Sequence, residues 1–283
     1  MVEFDLVAPR SADEAFAALR AAAPDGAAVL AGGTDLLPDV DEGRQRPRVV
    51  VSLRHLPWRT LDWAGPSLTI GSTLPLRALE QDPDLVRRFP GLAEAIRDVG
   101  SVALRHRATL GGNVVRAAPT SDLVPVLLAL DAEVEIVGPR GTRRLPVDRF
   151  VRASRRVDLG PEELVRAVWF PEARPSAYRW QRVRPANDIS QVAVAAACSP
   201  TDRRWRVAVG GVAPRPVRIP SAAEALGAGA PTAAAVARAA RAAADAVAFP
   251  SDRRASADYR RHLVATLVER VVDAVVRAEG FPR

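Results

Sequence analysis

Two glycine pairs, Gly32-Gly33 and Gly111-Gly112, carry the residues of this chain best suited to holding a small anionic ligand. A glycine turn at the edge of a strand or helix exposes peptide N–H groups, and the missing Cβ lets a ligand approach closely, a concavity that suits a diphosphate. Thr34, Thr109, Asn113 and Asp122 stand beside the pairs and supply the hydroxyl, amide and carboxylate groups that bind ribose or ribityl hydroxyls. Neither pair falls in a G-x-G-x-x-G pattern and neither is followed by the Lys-Ser/Thr of a P-loop, so the two commonest nucleotide folds are disfavoured. On the residues alone a bare pair is more often a plain turn, and helix capping is the simpler role for Thr34 and Asp122.

Other chemistry is scarce. The single cysteine, Cys198, allows no internal disulfide, no all-thiolate iron-sulfur cluster and no cysteine-rich zinc site. His55, His106 and His262 lie far apart without HxxxH or HxH spacing, so they read as structural or surface residues and no metal site is expected. The net charge of +7 over 283 residues comes with no lysine at all, and the arginines are spread out instead of forming a dense run, which argues against nucleic acid. Met1 to Arg10 has neither the basic start nor the apolar run of a leader, and no apolar stretch reaches membrane-spanning length. A soluble, globular, cytoplasmic chain is the expectation, with 48% hydrophobic residues supplying one or two cores.

The elements that must position the glycine pairs can be read in turn. Ser11 and Glu14 announce a helix that stops at Pro24-Asp25-Gly26. Ala27 to Ala31 reads as a short buried strand running into Gly32-Gly33, with further strands at Arg48 to Leu53 and Ser67 to Ile70. Helices are expected at Pro75 to Leu79 and Gly91 to Val99, and a second glycine loop is followed by an apolar helix starting near Ser121-Asp122. Strands at Glu133 to Val137 and Leu164 to Phe170 precede a proline-containing break, Pro171 to Pro175, taken as a domain boundary. Beyond it, strand-like runs at Ala177 to Arg184, Gln191 to Ala197 and Arg204 to Val212 lead to alanine-rich helices at Ala222 to Leu226, Pro231 to Ala248 and Ala255 to Ala278, a small sheet backed by helices.

The segments AGGTDLLP (31–38) and TLGGNVVRAAPTSDLVPVLLALD (109–131) resemble the two flavin-binding signatures of the FAD subunits of the xanthine dehydrogenase and carbon monoxide dehydrogenase family. The resemblance covers nearly the whole chain: Ile70-Gly71-Ser72, Ser101 to Arg107, Arg184 to Ile189 with Gln191, Gly210-Gly211-Val212 and Asp258-Tyr259-Arg260-Arg261 follow in the family's order. It implies an α+β fold: a two-subdomain FAD-binding domain of the PCMH type, as in vanillyl-alcohol oxidase-like flavoproteins, over residues 1–172, then a small C-terminal domain of antiparallel sheet plus helices over 175–283.

By the same resemblance the cofactor is FAD, with its diphosphate between the two loops. Val29, Leu30, Ala31, Gly32, Gly33, Thr34, Asp35 and Leu36 would line one side, and Thr109, Leu110, Gly111, Gly112 and Asn113 the other. Asp122 would meet a cofactor hydroxyl or a structured water, Val99, Leu159 and Ile189 would be apolar neighbours of the flavin, and Asp188 would lie beside the ring. Two positions depart from the pattern: Trp180 stands where the family often has lysine, a change expected to affect flavin potential or access. The acidic Asp39-Val40-Asp41 replaces a basic residue, a change expected to affect contact with a partner chain. The implied role is a redox relay inside a heteromeric oxidoreductase. A molybdopterin large subunit oxidises substrate, an iron-sulfur small subunit passes the electrons on, and the acceptor is NAD, oxygen, a quinone or an electron carrier. A free-standing FAD-dependent oxidoreductase, and a flavin-free interaction subunit that keeps the fold, are the alternatives. No residue is expected to act as general acid, base or nucleophile.

Overall fold

The structure, a computed structural model, describes residues 3–22, 26–184 and 188–278. The chain begins with β1 (Asp5–Val7), α1 (Ala12–Ala21), β2 (Ala27–Leu30), α2 (Leu36–Asp41) and β3 (Val49–Ser52), and the three strands form a parallel sheet in the order β1-β3-β2. The start of α1 follows from its sequence: Ser11 Oγ accepts the Glu14 N–H at 3.2 Å while the Glu14 carboxylate accepts the Arg10 N–H at 2.7 Å. Pro24 and Asp25, which the sequence assigns to the end of this helix, lie outside the described residues. The strand expected at 27–31 is present, but not buried as expected: Val29 is 40% exposed because its outer face borders a cleft.

A second, larger unit follows. It contains β4 (Leu61–Ala64), β5 (Ser67–Gly71), α3 (Leu76–Gln81), α4 (Pro83–Arg88), α5 (Pro90–Asp98), α6 (Val102–Arg105), α7 (Leu110–Arg116) and α8 (Leu123–Ala129). Then come β6 (Glu133–Gly138), β7 (Gly141–Pro146), α9 (Val147–Phe150), a two-stranded ribbon of β8 (Val151–Ala153) and β9 (Arg156–Val157), and β10 (Leu164–Phe170). The strands pair antiparallel in the order β4-β5-β10-β6-β7. Both Gly111 and Gly112 sit in the first turn of α7, a helix absent from the sequence reading, which had taken the pair as a turn. A small cluster of Ala15, Phe16, Leu19 and Val51 with Val137 and Leu164 joins the parallel sheet to the antiparallel one.

The remaining chain forms β11 (Ser176–Gln181), β12 (Val192–Cys198), β13 (Trp205–Gly210) and β14 (Val217–Arg218), an antiparallel sheet in that order, then α10 (Pro220–Leu226), α11 (Ala233–Asp245) and α12 (Ala257–Ala278). Every residue of β12 is buried because both faces of this sheet are covered. Ala193, Ala195 and Ala197 point into the core that contains α5 and α8, where small side chains permit close approach, whereas Val192 and Val194 point to α12.

One electrostatic knot binds this sheet to the preceding part. Asp131 accepts Arg174 at 2.6 Å, Arg206 at 3.2 Å and Arg218 at 2.5 Å. Burial by itself raises the Asp131 pKa, but the three guanidinium groups outweigh it and hold the carboxyl below its ordinary 3.8. A carboxylate with a depressed folded-state pKa contributes stability that is present above the unfolded value and lost as pH falls through the folded one. Thermal melting from pH 7 down to below about 3 is therefore expected to show a steep loss of stability that Asp131→Asn, already lacking the charge, shows less of.

Candidate functional site

Where β2 gives way to α2, the chain passes Ala31 to Asp35, and Gly33 takes φ +79°, a left-handed conformation open to glycine at no steric cost. The peptide N–H groups of Gly32, Gly33, Thr34 and Asp35 find no acceptor among the described residues. Directly opposite, α7 starts at Thr109, whose Oγ1 accepts the Gly112 N–H at 3.0 Å. The Gly112 amide is thus consumed by the helix cap. The N–H groups of Leu110 and Gly111, in the first turn, have no acceptor within their own helix.

The two loops are pressed together by backbone contact. An added Cβ at Gly32 would lie 2.0 Å from the Arg107 carbonyl oxygen, and one at Gly111 would lie 2.5 Å from Ser72 Cβ. These two positions need glycine for protein packing, a requirement the sequence alone did not show. Gly112 differs: an added Cβ there meets only Thr109 Oγ1, at 3.1 Å, and otherwise faces open space.

Between the loops runs a cleft of about 570 Å³. Of the residues singled out in the sequence, Val29, Ala31, Gly32, Gly33, Thr34, Asp35, Leu36, Thr109, Gly111, Gly112, Asn113 and Leu159 line it. Leu110 is instead fully buried in the main core, and Leu30 is half-buried beside Gly33. Sequence reasoning missed several lining residues, among them Ser72, Asp39, Arg44 and Arg116. Ser72 is 2% exposed, and its hydroxyl has no partner among the described residues, which makes it a buried polar atom open to one. Arg116 lies four residues beyond Gly112 and three beyond Asn113 on α7, a helical spacing that could have flagged it.

Asp39 gives the clearest correction. Its side chain is 3% exposed and cannot face a partner chain; it accepts Arg116 Nη1 at 2.6 Å, Arg44 Nε at 2.7 Å and Gln45 Nε2 at 3.3 Å. Burial pushes its pKa up, but the two arginines more than reverse that and keep it ionised. It fastens α2 to α7, one glycine loop to the other. Asp41, by contrast, is exposed.

Val99, Asp122, Asp188 and Ile189 do not line the cleft, and three of them gather near a neighbouring cluster around Arg182. This arginine, 4% exposed, donates to the Asp98 carbonyl at 3.2 Å and to Ser190 Oγ at 3.2 Å, and pairs with the Asp122 carboxylate at 2.9 Å. Val99 follows Asp98, and Ile189 precedes Ser190. Asp122 also accepts the Tyr178 hydroxyl at 2.6 Å and the Ser190 hydroxyl at 2.8 Å, and makes no side-chain cap to α8. Neither does Thr34 cap α2, whose N-cap residue is Asp35. Burial and the Asp122 charge push the Tyr178 phenol well above its ordinary value, so it stays protonated and donates. Asp188 turns its carboxylate onto its own loop, accepting the Arg184 and Ile189 N–H groups at 2.9 and 2.8 Å. The cluster reaches the cleft through Ser121, whose hydroxyl donates to Asn113 Oδ1 at 2.6 Å. Trp180, in place of the expected lysine, donates its indole N–H to Asp98 at 2.6 Å, with the Arg182 guanidinium over its ring at 4.1 Å.

Residues 2–173 match the family described as the FAD binding domain in molybdopterin dehydrogenase, and residues 176–275 match the CO dehydrogenase flavoprotein C-terminal domain. The chain belongs to the molybdopterin dehydrogenase FAD-binding family. It is 33% identical over 265 residues to the xanthine dehydrogenase FAD-binding subunit of Escherichia coli O157:H7, covering 90% of each chain. The carbon monoxide dehydrogenase medium chain of Hydrogenophaga pseudoflava is 29% identical over 278 residues, with 96% of each covered. A solved structure of carbon monoxide dehydrogenase from that organism superposes with a TM-score of 0.90 at 28% identity, covering 98% of both chains. Quinoline 2-oxidoreductase from Pseudomonas putida 86 superposes with a TM-score of 0.89 at 26% identity. As a member of this family the chain is an oxidoreductase component whose cofactor is FAD. The cleft fits that cofactor on its own chemistry: unpartnered amides on one wall, the orphaned Ser72 hydroxyl on the other, and arginine at the edge. No helix of the described residues is long and apolar enough to cross a membrane.

Proposed function

We propose that this chain is the FAD-carrying subunit of a molybdenum hydroxylase and that it relays electrons from iron-sulfur clusters on a small partner subunit to an acceptor, NAD, oxygen, a quinone or an electron carrier. Substrate oxidation takes place on a molybdopterin-bearing large subunit. Bound FAD supplies the conversion between single-electron and two-electron transfer that such a relay requires. The chain's own residues bind and orient: the amides of Gly32 to Asp35 and of Gly111 serve the diphosphate, and Ser72 serves a cofactor oxygen. Asn113 with Ser121 connects the diphosphate region to the Arg182 cluster. In this reading the flavin ring lies toward that cluster, near Val99, Asp122, Leu159, Asp188 and Ile189. A division of the chain between 172 and 175 into a cofactor domain and a C-terminal domain accompanies the proposal, as does a cytoplasmic location, in keeping with one buried, undisulfided cysteine.

The observation that carries the reading is the run of four unpartnered peptide N–H groups bordering a cleft fitted with an unpartnered buried hydroxyl. Purified from its native source, the chain is expected to show flavin absorption and to bring iron-sulfur and molybdopterin subunits with it. A colourless chain that fails to take up added FAD removes the proposal. A yellow chain that purifies alone, and turns over an acceptor without cluster-bearing partners, replaces the relay with a free-standing oxidoreductase.

A further inference from the structure

The cleft contains a cation whose surroundings are arranged asymmetrically. Arg116 lines the cleft on the same helix as Gly112 and Asn113, and its guanidinium is held from two sides. On the inner side stands Asp39, itself 3% exposed and fully engaged by Arg116, Arg44 and Gln45. On the outer side stands Asp35, 55% exposed, whose carboxylate lies 3.1 Å from Arg116 Nε and has no second ion-pair partner among the described residues.

The two contacts differ in strength for a physical reason. The inner pair is shielded from solvent and anchored through several hydrogen bonds, so Asp39 fixes where the guanidinium sits. The outer pair is open to water and salt, where ion pairs add little. Asp35 also closes the run of unpartnered N–H groups that starts at Gly32, so its carboxylate stands at the mouth of the anion-binding loop. Arg44 and Arg116 already answer to three carboxylates, Asp35, Asp39 and Glu42, so a dianionic diphosphate entering the cleft brings further negative charge, and the carboxylate held to Arg116 by the weaker contact must yield.

We propose that Arg116, positioned by the buried carboxylate of Asp39, is the cation that receives the FAD diphosphate, and that Asp35 occupies that guanidinium in the free chain and is displaced when the cofactor binds. The proposal rests on the reading of the chain as an FAD carrier. It assigns Asp39 a positioning role and makes Asp35 an internal competitor that sets the affinity.

The test is titration of the flavin-free full chain with FAD, followed by quenching of flavin fluorescence, at low and moderate salt, with riboflavin as the probe that lacks a diphosphate. Arg116→Gln is expected to weaken FAD binding about 10–100-fold, the worth of one charge-assisted bidentate contact, and to flatten the salt dependence, with Arg116→Lys recovering part of the loss. Riboflavin binding is expected to be equal in all forms. Asp35→Asn is expected to tighten FAD binding by about 2–5-fold, the scale of an exposed ion pair, a gain that misfolding cannot imitate. Equal FAD affinity in wild type and Arg116→Gln overturns the role of Arg116, and weaker binding by Asp35→Asn overturns the displacement. A wild-type chain that takes up no FAD overturns both this inference and the reading beneath it.

Discussion

Gly32→Ala is expected to destabilise the chain by about 1–3 kcal/mol or more and to lower FAD affinity by over about tenfold, the usual range for forcing atoms into a filled site. The new Cβ would sit 2.0 Å from the Arg107 carbonyl oxygen and 2.8 Å from its carbon, both backbone atoms, so no side chain can swing aside. The segment that must give way leads directly into the second loop, and Ala108 there accepts the Leu76 N–H at 2.8 Å, so the disturbance spreads to α3. Gly111→Ala is expected to behave alike through Ser72. Gly112→Ala provides the contrast: with only Thr109 Oγ1 in range and open cleft beyond, it should leave stability within about 1 kcal/mol of wild type, near the helix-propensity difference, while impeding the ligand. Urea unfolding of the flavin-free variants, set beside flavin titration, separates the two outcomes. Equal loss of stability at positions 32 and 112 would refute the assignment of the glycines to different tasks.

Asp122→Ala is expected to cost about 3–5 kcal/mol, the scale of breaking one side of a buried ion pair. Its removal leaves the Arg182 guanidinium, only 2% exposed at its side chain, without its carboxylate and leaves the buried Tyr178 hydroxyl without an acceptor. Arg182 retains Ser190 and the Asp98 carbonyl, with the Asp98 carboxylate offsetting its charge only at longer range. Asp122→Asn keeps an acceptor for Tyr178 and is expected to lose less. Chemical denaturation measures both, and a midpoint for Asp122→Ala close to wild type would show the cluster to be structurally idle.

The sequence made the local part of this architecture legible. Ser11 and Glu14 marked the start of α1 because capping is decided within four residues, and β3, β10 and β12 stood out as apolar runs. Strand β7, reading GTRRLP, escaped because it is mostly polar and takes its order from the β6 ladder. The helix around Gly111 escaped for a related reason: glycine is a poor helix former, and only the contact with Ser72, far away in sequence, rewards it there. For the site, the glycine loops were visible and their reason was not. The pairing of Asp39 with Arg116 spans 77 residues, and no local pattern announces it. An acidic residue in place of a basic one looked like a change of surface, whereas it turned inward to meet a cation at the matching place on the other loop.

The cleft's two walls belong to different sheets. Gly32 to Asp35 leave the parallel sheet at β2, whereas α7 packs against β10 of the antiparallel one, and the cluster that contains Ala15 and Leu164 joins the two sheets. A molecule gripping both walls therefore works as a removable staple. At a free concentration a hundred times its dissociation constant it would add about 2.7 kcal/mol to the unfolding free energy. Scarcity of riboflavin would then be felt first as shortened lifetime of the polypeptide under proteolysis, before any shortfall in electron flow.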